Sequence, residues 1–331
     1  MALGSASQDR FLQSAPEIWD GHDVLDVRIE ADFHLIRTED RHPDAPLRRG
    51  SISLSGDSLE VPALIRTRGN LRLQRSFCYF PPLRIRIDTD AVAREAIPPE
   101  LRGLGNARVV SPCRGGQDHL VLLEYLAYRI YNVMSPVSYA VRPVRITFLD
   151  SSGRDQERTV LAFLIESDGH LARRLRLEPA SDTIGRVDPR LLEPRSTALL
   201  EAFQYMIGNT DWSVEARHNI LVATDSASSH VAIPYDFDFA GIVDAPYAAP
   251  DARLPIDDVT DRLYRGLCRP RAEMKNALDL ILSRRDGVLA ELDAVEELSD
   301  FRRRRARRYL EDFFREASGG RALANFIATC R

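Results

Sequence analysis

The stretch SISLSGDSLEVPALIRTRG, residues 51–69, decides the fold class, because apolar and polar side chains alternate along it. Alternation with a period of two, interrupted by Gly, Asp and Pro, is typical of antiparallel strands with one buried and one solvated face. The same pattern precedes it in VLDVRIEADFHLI (24–36) and follows it in LRIRID (83–88). The sequence therefore predicts a sheet in the front half of the chain.

A change of period marks helices farther along the chain. In DHLVLLEYLAYRIYNVM (118–134), apolar residues recur every three or four positions, which predicts one helix with a single apolar stripe. Two more strands are predicted in VRPVRITFLD (141–150) and RTVLAFLIE (158–166). Beyond them the pattern is mainly helical, beginning with LLEPRSTALLEAFQYMIG (191–208).

These patterns divide the chain into three segments. We predict a loose N-terminal segment over residues 1–20, a β-rich N-terminal lobe with one helix over 21–166, and a mainly helical C-terminal lobe over 167–331.

Composition and charge exclude several classes of function. The chain has 331 residues and a formal net charge of −4, so its surface as a whole does not attract nucleic acid or an acidic membrane. No apolar run approaches the roughly 18 residues that a membrane-spanning helix requires. The start, MALGSASQDRF, lacks the features of a signal peptide. This favours a cytoplasmic location, with an exported or cell-surface location as the alternative.

The four cysteines leave two interpretations open. No two of them form a CxxC pair, so a structural zinc site is not expected. Cys78 and Cys113 flank one predicted sheet region, and they are either a disulfide formed in an oxidising compartment or two buried thiols.

The residues that carry chemistry lie in two motifs, GNTDWSVEARHNI (208–220) and IPYDFDFAG (233–241). Asp211 and Asn219 bracket a polar loop, and Asp236 and Asp238 follow an apolar strand. Two residues spaced i, i+2 on a strand point the same way, so we expect both carboxylates to address one cavity. In metal-assisted phosphoryl transfer, one acid orients the acceptor hydroxyl, while an asparagine and a later acid hold Mg²⁺ against the ATP phosphates. The two motifs therefore indicate a phosphotransferase.

Five segments occur here in the order found in the spore-coat kinase (CotH) family, and the chain resembles that family over about residues 60–250. They are RTRGN (66–70), LLEYLAYRIYNVM (122–134), AFLIE (162–166), GNTDW followed by HN, and PYDFDFAG. Members of the family are atypical, protein-kinase-like enzymes and are often bacterial. The resemblance implies an α+β class and a bilobal atypical protein-kinase-like fold, with a β-rich N-terminal lobe and a helical C-terminal lobe.

The resemblance also implies roles for residues of the two motifs. Asp211 corresponds to the catalytic aspartate, and Asn209 braces the loop that carries it. Asn219, Asp236 and Asp238 correspond to the residues that bind the metal ion, with Asp236 ahead of Asp238 as the main ligand. The implied reaction moves the γ-phosphoryl group of ATP, with Mg²⁺ or Mn²⁺, to a protein or another hydroxyl acceptor, as an atypical Ser/Thr-type kinase does.

The phosphate-binding residues implied in the front lobe are arginines. Arg66 and Arg68, in RTRGN, resemble phosphate-facing residues of the family. The lysine that kinases use there is missing, because the single lysine of the chain lies far along the helical tail. Arg84 or Arg86 then takes its place, and Glu124 on the predicted helix is the natural partner of that arginine.

Three other functions fit parts of the sequence. A pseudokinase that binds a nucleotide or a surface partner without transferring phosphate is the main alternative, and the missing lysine favours it. YDFDFAG also matches the nucleophile motif of haloacid-dehalogenase-type phosphatases, but the doubly wound domain that must follow is not predicted. A DxD glycosyltransferase lacks its N-terminal βαβ pattern in the same way.

Overall fold

The computed structural model describes residues 17–19, 21, 23–181 and 185–331. These residues form two compact units. The first, which we call the barrel unit, contains the described residues up to Leu122 together with Ala140–His170. The second, the hairpin unit, contains Leu123–Tyr139 and the described part of Leu171–Arg331. The predicted loose segment 1–20 lies outside the described residues, except for a short 3-10 turn at Glu17–Trp19.

Seven strands close into a barrel in the first unit. They are β1 (Leu25–Ala31), β2 (Arg48–Leu54), β3 (Val61–Thr67), β4 (Leu83–Ile87), β5 (Asn106–Val110), β6 (Val141–Asp150) and β7 (Arg158–Ile165). Their order around the barrel is β1-β2-β3-β4-β5-β7-β6. Neighbouring strands are antiparallel except at the closure, where β1 pairs with β6 in parallel.

The expected bilobal atypical protein-kinase-like fold, with a β-rich N-terminal lobe and a helical C-terminal lobe, is wrong. The sheet is a closed barrel of mixed strand direction, and the described residues carry eight α-helices. Closure depends on the parallel register of Leu25 with Val144, two residues far apart along the chain. Alternation within a strand is the same in an open sheet and in a barrel, so it does not reveal such a pairing.

The interior of the barrel is filled by the apolar side chains of the alternating pattern. Leu83, Ile85 and Ile87 of β4 are buried, as LRIRID predicts, while the arginines between them are half-buried. Ile65 on β3 and Ile146 on β6 are completely buried in the same core. The predicted inward face of the strands is confirmed.

The helices of the described residues are α1 (Phe33–Thr38), α2 (Asp118–Met134), α3 (Asp168–Leu175), α4 (Pro194–Ile207), α5 (Arg271–Ser283), α6 (Arg285–Ala294), α7 (Asp300–Ser318) and α8 (Arg321–Thr329). The helix predicted at 118–134 is confirmed as α2. Within the described part of the chain, no helix is long and apolar enough to cross a membrane.

The hairpin unit also contains a three-stranded antiparallel sheet, in the order β10-β9-β8. Its strands are β8 (Glu178–Pro179), β9 (Ile220–Thr224) and β10 (His230–Pro234). The buried helix α4 contacts β10 and leads into the loop before β9. This hairpin and this helix position the polar motifs.

Both pairs of cysteines are disulfides. Cys78 bonds Cys113 in the barrel unit, which decides between the two interpretations of the sequence. Cys268 bonds Cys330 in the hairpin unit, a pairing that the sequence did not suggest.

Candidate functional site

The end of α4 fixes the start of the polar loop. Gly208 follows the helix in the left-handed region, at φ 67°, and its backbone N–H donates to carbonyls of the last turn. Next to it, the side chain of Asn209 is buried and bridges the helix and the loop. Its Nδ2 donates to Gln204 Oε1 at 3.0 Å, and its Oδ1 accepts from the backbone N–H of Asp211 at 2.9 Å. Asn209 therefore holds the backbone of Asp211 to α4.

Both carboxylate oxygens of Asp211 have side-chain partners. Oδ1 lies 2.8 Å from Nε2 of His218, and Oδ2 accepts from Nδ2 of Asn219 at 3.1 Å. The same Nδ2 donates to the backbone carbonyl of Asp211 at 2.8 Å. The hydrogen bond with Asp211 raises the pKa of His218, despite partial burial of the imidazole. Asp211, His218 and Asn219 thus form one hydrogen-bonded group.

The β9–β10 hairpin brings Asp236 toward this group. Ile220 is opposite Pro234 in the register, and the backbone N–H of Tyr235 donates to Asn219 O at 3.0 Å. Asp236 follows directly, and its charge also contributes to the raised pKa of His218. Asp211, Asn219 and Asp236 therefore lie around the open end of one hairpin.

The backbone of two of these residues is strained. Asn219 and Asp236 have φ values of 53° and 62°, in the left-handed region that non-glycine residues rarely adopt. The backbone N–H of Asp236 donates to the hydroxyl of Tyr128 at 2.8 Å, which holds that conformation. Strain of this kind is concentrated at functional sites, where it orients a side chain.

The placement of Asp236 and Asp238 on a strand is wrong, and the expectation that both carboxylates address one cavity stays a prediction. Strand β10 ends at Pro234, so neither residue lies on a strand. Between them, Phe237 is completely buried and packs against Tyr128 at 4.6 Å between ring centroids. The carboxylate of Asp238 is buried and accepts a hydrogen bond from the hydroxyl of Tyr247 at 3.2 Å.

The oxygen donors at the hairpin fit a hard divalent cation. Within the described ranges, no three His, Cys, Asp or Glu side chains come together as a metal site. The amide oxygen of Asn219 and the carboxylate of Asp236 form a smaller set, since Nδ2 of Asn219 is directed to Asp211. Mg²⁺ bound to ATP commonly takes only one or two protein oxygens and completes its shell with phosphate and water. The donors present suit that mode of binding.

The arginines implied as phosphate-binding residues lie in the barrel unit. Arg66 on β3 is directly opposite Arg84 on β4, and Arg84 is opposite Arg108 on β5. Directly opposite residues of antiparallel strands share a face, with Cβ atoms roughly 4.5–5.5 Å apart. We call Arg66, Arg84 and Arg108 the arginine row. Sequence analysis did not single out Arg108, although its strand neighbours alternate in the same way.

The other residues of the implied phosphate site are placed as follows. Arg86 lies on β4 opposite Asn106, and Arg68 follows β3 with its backbone N–H donating to Pro82 O. Glu124 is buried on α2 and belongs to the hairpin unit. Its pairing with Arg84 or Arg86 stays a prediction.

A cavity of about 530 Å³ opens beside Asp211 and His218. Phe239 and Arg265 also line it. Arg265 was missed by the sequence analysis, because it lies 55 residues beyond Thr210 in an arginine-rich chain and belongs to no motif. A volume of this size accommodates a small molecule or a protruding side chain.

No family model matches this sequence, and a search of curated proteins finds no match either.

Proposed function

We propose that this protein is a metal-dependent phosphotransferase, which moves the γ-phosphoryl group of ATP to a hydroxyl group of a protein or small-molecule acceptor. The observation that carries the proposal is the position of the Asp211 carboxylate, the Asn219 amide and the Asp236 carboxylate around one hairpin end. The resemblance of the same motifs to the spore-coat kinase family supports it. Since chemistry depends on the site and not on the fold, the proposal does not require a kinase fold.

In this reaction, Asp211 orients the acceptor and takes its proton. The acceptor oxygen forms a bond to the γ-phosphorus, the bond from that phosphorus to the ADP oxygen breaks, and the hydroxyl proton passes to the carboxylate. Hydrogen bonds from Asn219 and His218 hold the carboxylate in one orientation. The cavity beside Asp211 is the proposed position of the acceptor.

Asn219 and Asp236 are the proposed metal ligands. If Mg²⁺ or Mn²⁺ were held by these two residues, it would neutralise charge on the ATP phosphates. The left-handed backbone at both residues fixes the directions of the two side chains. Asp238 is the weaker candidate, because its carboxylate already accepts the hydroxyl of Tyr247.

The arginine row is the proposed phosphate-binding surface of the barrel unit. Arg108 is buried, where its Nη2 donates to the carbonyl of Glu166 at 3.1 Å and lies 3.4 Å from a carboxylate oxygen of Asp168. Arg66 and Arg84, which are half-buried, are the members of the row proposed to contact the phosphates. Guanidinium groups bind phosphate oxygens in pairs, so a triphosphate suits a row of them.

The test is incubation with γ-labelled ATP and Mg²⁺ or Mn²⁺ without reductant, because both disulfides are present in the structure. We expect label on the protein or on an added acceptor. Asp211→Asn should stop transfer and preserve nucleotide binding, whereas Asp236→Asn should abolish metal-dependent nucleotide binding. Asp286→Asn, a change at a fully solvated position, is the matched control. An Asp236→Asn protein that binds Mg²⁺·ATP normally would refute the metal assignment.

For the arginine row, Arg66→Gln should weaken ATP binding about tenfold or more, as the loss of a charged hydrogen bond does. The matched control is Arg49→Gln, at an exposed position on β2. Equal affinities in the two variants would remove the arginine row from the proposal.

One observation favours the alternative of a nucleotide-binding protein that transfers nothing. Both oxygens of Asp211 already form hydrogen bonds, one with His218 and one with Asn219, so an acceptor hydroxyl must compete with these partners for the carboxylate. Metal-dependent ATP binding without transfer to the protein or to any added acceptor would establish this alternative.

A further inference from the structure

Arg265 contacts the backbone on both sides of Asp211. Its Nη1 donates to the carbonyl of Thr210, the residue before Asp211, and to the carbonyl of Trp212, the residue after it, at 3.3 Å in the second case. The carbonyl of the peptide group before Asp211 and the carbonyl of the peptide group after Trp212 are therefore attached to the same guanidinium. Rotation about either backbone bond of Asp211 would break one of these contacts.

The segment that carries Arg265 is itself held firmly. The carbonyl of Arg265 accepts from Nε of Arg331 at 2.9 Å, and the backbone N–H of Arg331 donates to Gly266 O at 3.1 Å. Cys268 donates its backbone N–H to Arg331 O and bonds Cys330 through the disulfide. The backbone of Arg265 therefore belongs to a segment held by hydrogen bonds and by a disulfide. This segment is the support of Arg265, and it fixes the point from which the side chain extends.

Charge adds to this arrangement. Burial lowers the pKa of Arg265 and the nearby Arg331 lowers it further, while the carboxylate of Asp211 acts in the opposite direction. The guanidinium remains charged at any physiological pH, because the ordinary pKa of arginine is above 12.

We infer that Arg265 is a positioning residue for Asp211, which holds the backbone of the polar loop so that the carboxylate is presented in one orientation. Its effect on phosphoryl transfer rests on the proposed function, but its hold on the loop does not. Arg265 acts through Asp211 and is not proposed to touch the reacting atoms.

The first measurement is hydrogen–deuterium exchange of the loop, residues 209–219, in folded Arg265→Gln, Arg265→Lys and Arg271→Gln proteins. Arg271 is an exposed arginine in the first turn of α5 and serves as the matched control. We expect exchange in the loop to speed up about tenfold or more in Arg265→Gln, less in Arg265→Lys, and not at all in Arg271→Gln.

The second measurement separates kcat from KM for ATP in the same proteins. Misplacing Asp211 should lower kcat about tenfold or more in Arg265→Gln and leave KM for ATP within about twofold, with partial recovery in Arg265→Lys. If Arg265→Gln acted only by a general loss of structure, KM for ATP would rise as well, and Arg265→Lys would not recover kcat.

Unchanged exchange of the loop in Arg265→Gln would overturn the inference, whatever the activity. If Arg265→Gln does not fold, the Arg265→Lys protein is used in its place. The inference then requires that hydrogen–deuterium exchange of its loop be faster than in the unsubstituted protein. If the unsubstituted protein transfers no phosphate, the proposed function fails, while the exchange measurement still decides the role of Arg265.

Discussion

Replacement of Cys268 and Cys330 by serine should destabilise the hairpin unit by about 4 kcal/mol. The disulfide joins positions 62 residues apart. In the chain-entropy treatment, closing a loop of that length removes about 14 cal/mol/K from the unfolded state, which is about 4 kcal/mol at 25 °C. The support of Arg265 is also weakened, because Cys268 is then joined to Arg331 only by the hydrogen bond from its backbone N–H to Arg331 O.

The assay is urea unfolding followed by tryptophan fluorescence. The chain has two tryptophans, and they report separately, because Trp19 lies in the barrel unit and Trp212 in the hairpin unit. In a Trp19→Phe background, the signal comes from the hairpin unit alone. With a slope of about 2 kcal/mol/M, a loss of 4 kcal/mol moves the midpoint down by about 2 M urea.

The matched control is the serine pair at Cys78 and Cys113, whose separation of 35 residues predicts a similar loss, but in the barrel unit. That pair should leave the Trp212 transition in place. A Trp212 midpoint that is the same with and without the Cys268–Cys330 bond, in protein shown by thiol titration to be fully oxidised, would refute the loop-entropy reasoning.

Three further outcomes are expected. Gly208→Ala should cost about 2 kcal/mol or more in urea unfolding, because alanine at φ 67° is strained and its Cβ would meet the hydroxyl of Tyr309. Glu201→Gln should cost about 3–5 kcal/mol in the same assay, since it removes the buried carboxylate that pairs with the guanidinium of Arg269 and leaves only the more distant Glu273, at 4.0 Å. Burial opposes ionisation of Asp150, yet hydrogen bonds from the Ser152 hydroxyl and from backbone N–H groups lower its pKa below the ordinary value. The stability that Asp150 contributes is therefore present above about pH 4 and is lost as the pH falls toward the folded-state pKa. Acid unfolding of Asp150→Asn should show a smaller pH dependence below pH 4, and an unchanged dependence would contradict this assignment.

The sequence predicted local structure well in segments whose apolar residues recur with a single period. The strand at LRIRID, the helix at 118–134 and the helix end at Gly208 all follow from patterns within a few residues. The hairpin of β9 and β10 also follows from local pattern, because two short apolar runs surround a turn at Asp225. These features depend on neighbours along the chain, which alternation and capping rules describe.

Features that depend on distant residues were missed. The parallel pairing of β1 with β6, the Cys268–Cys330 bond and the contact of Arg265 with the polar loop each join separate parts of the chain. The placement of Asp236 and Asp238 on a strand was wrong for a local reason, since the strand ends before them and Asp236 adopts a left-handed backbone. The periodicity of apolar residues indicates neither which distant segments pair nor at which residue a strand ends.

Closure of the barrel sets the order in which it can fold. Strand β1 has one edge that only β6 covers, and Leu25 meets Val144 there. A growing chain must therefore keep the first strand unpaired on that side until the sixth has left the ribosome. Contacts this distant in sequence close slowly, since the intervening chain loses its freedom before the pairing is gained. The barrel unit should consequently refold more slowly than a helical domain of its size, and the exposed edge of β1 is where newly made chains are most open to association with one another.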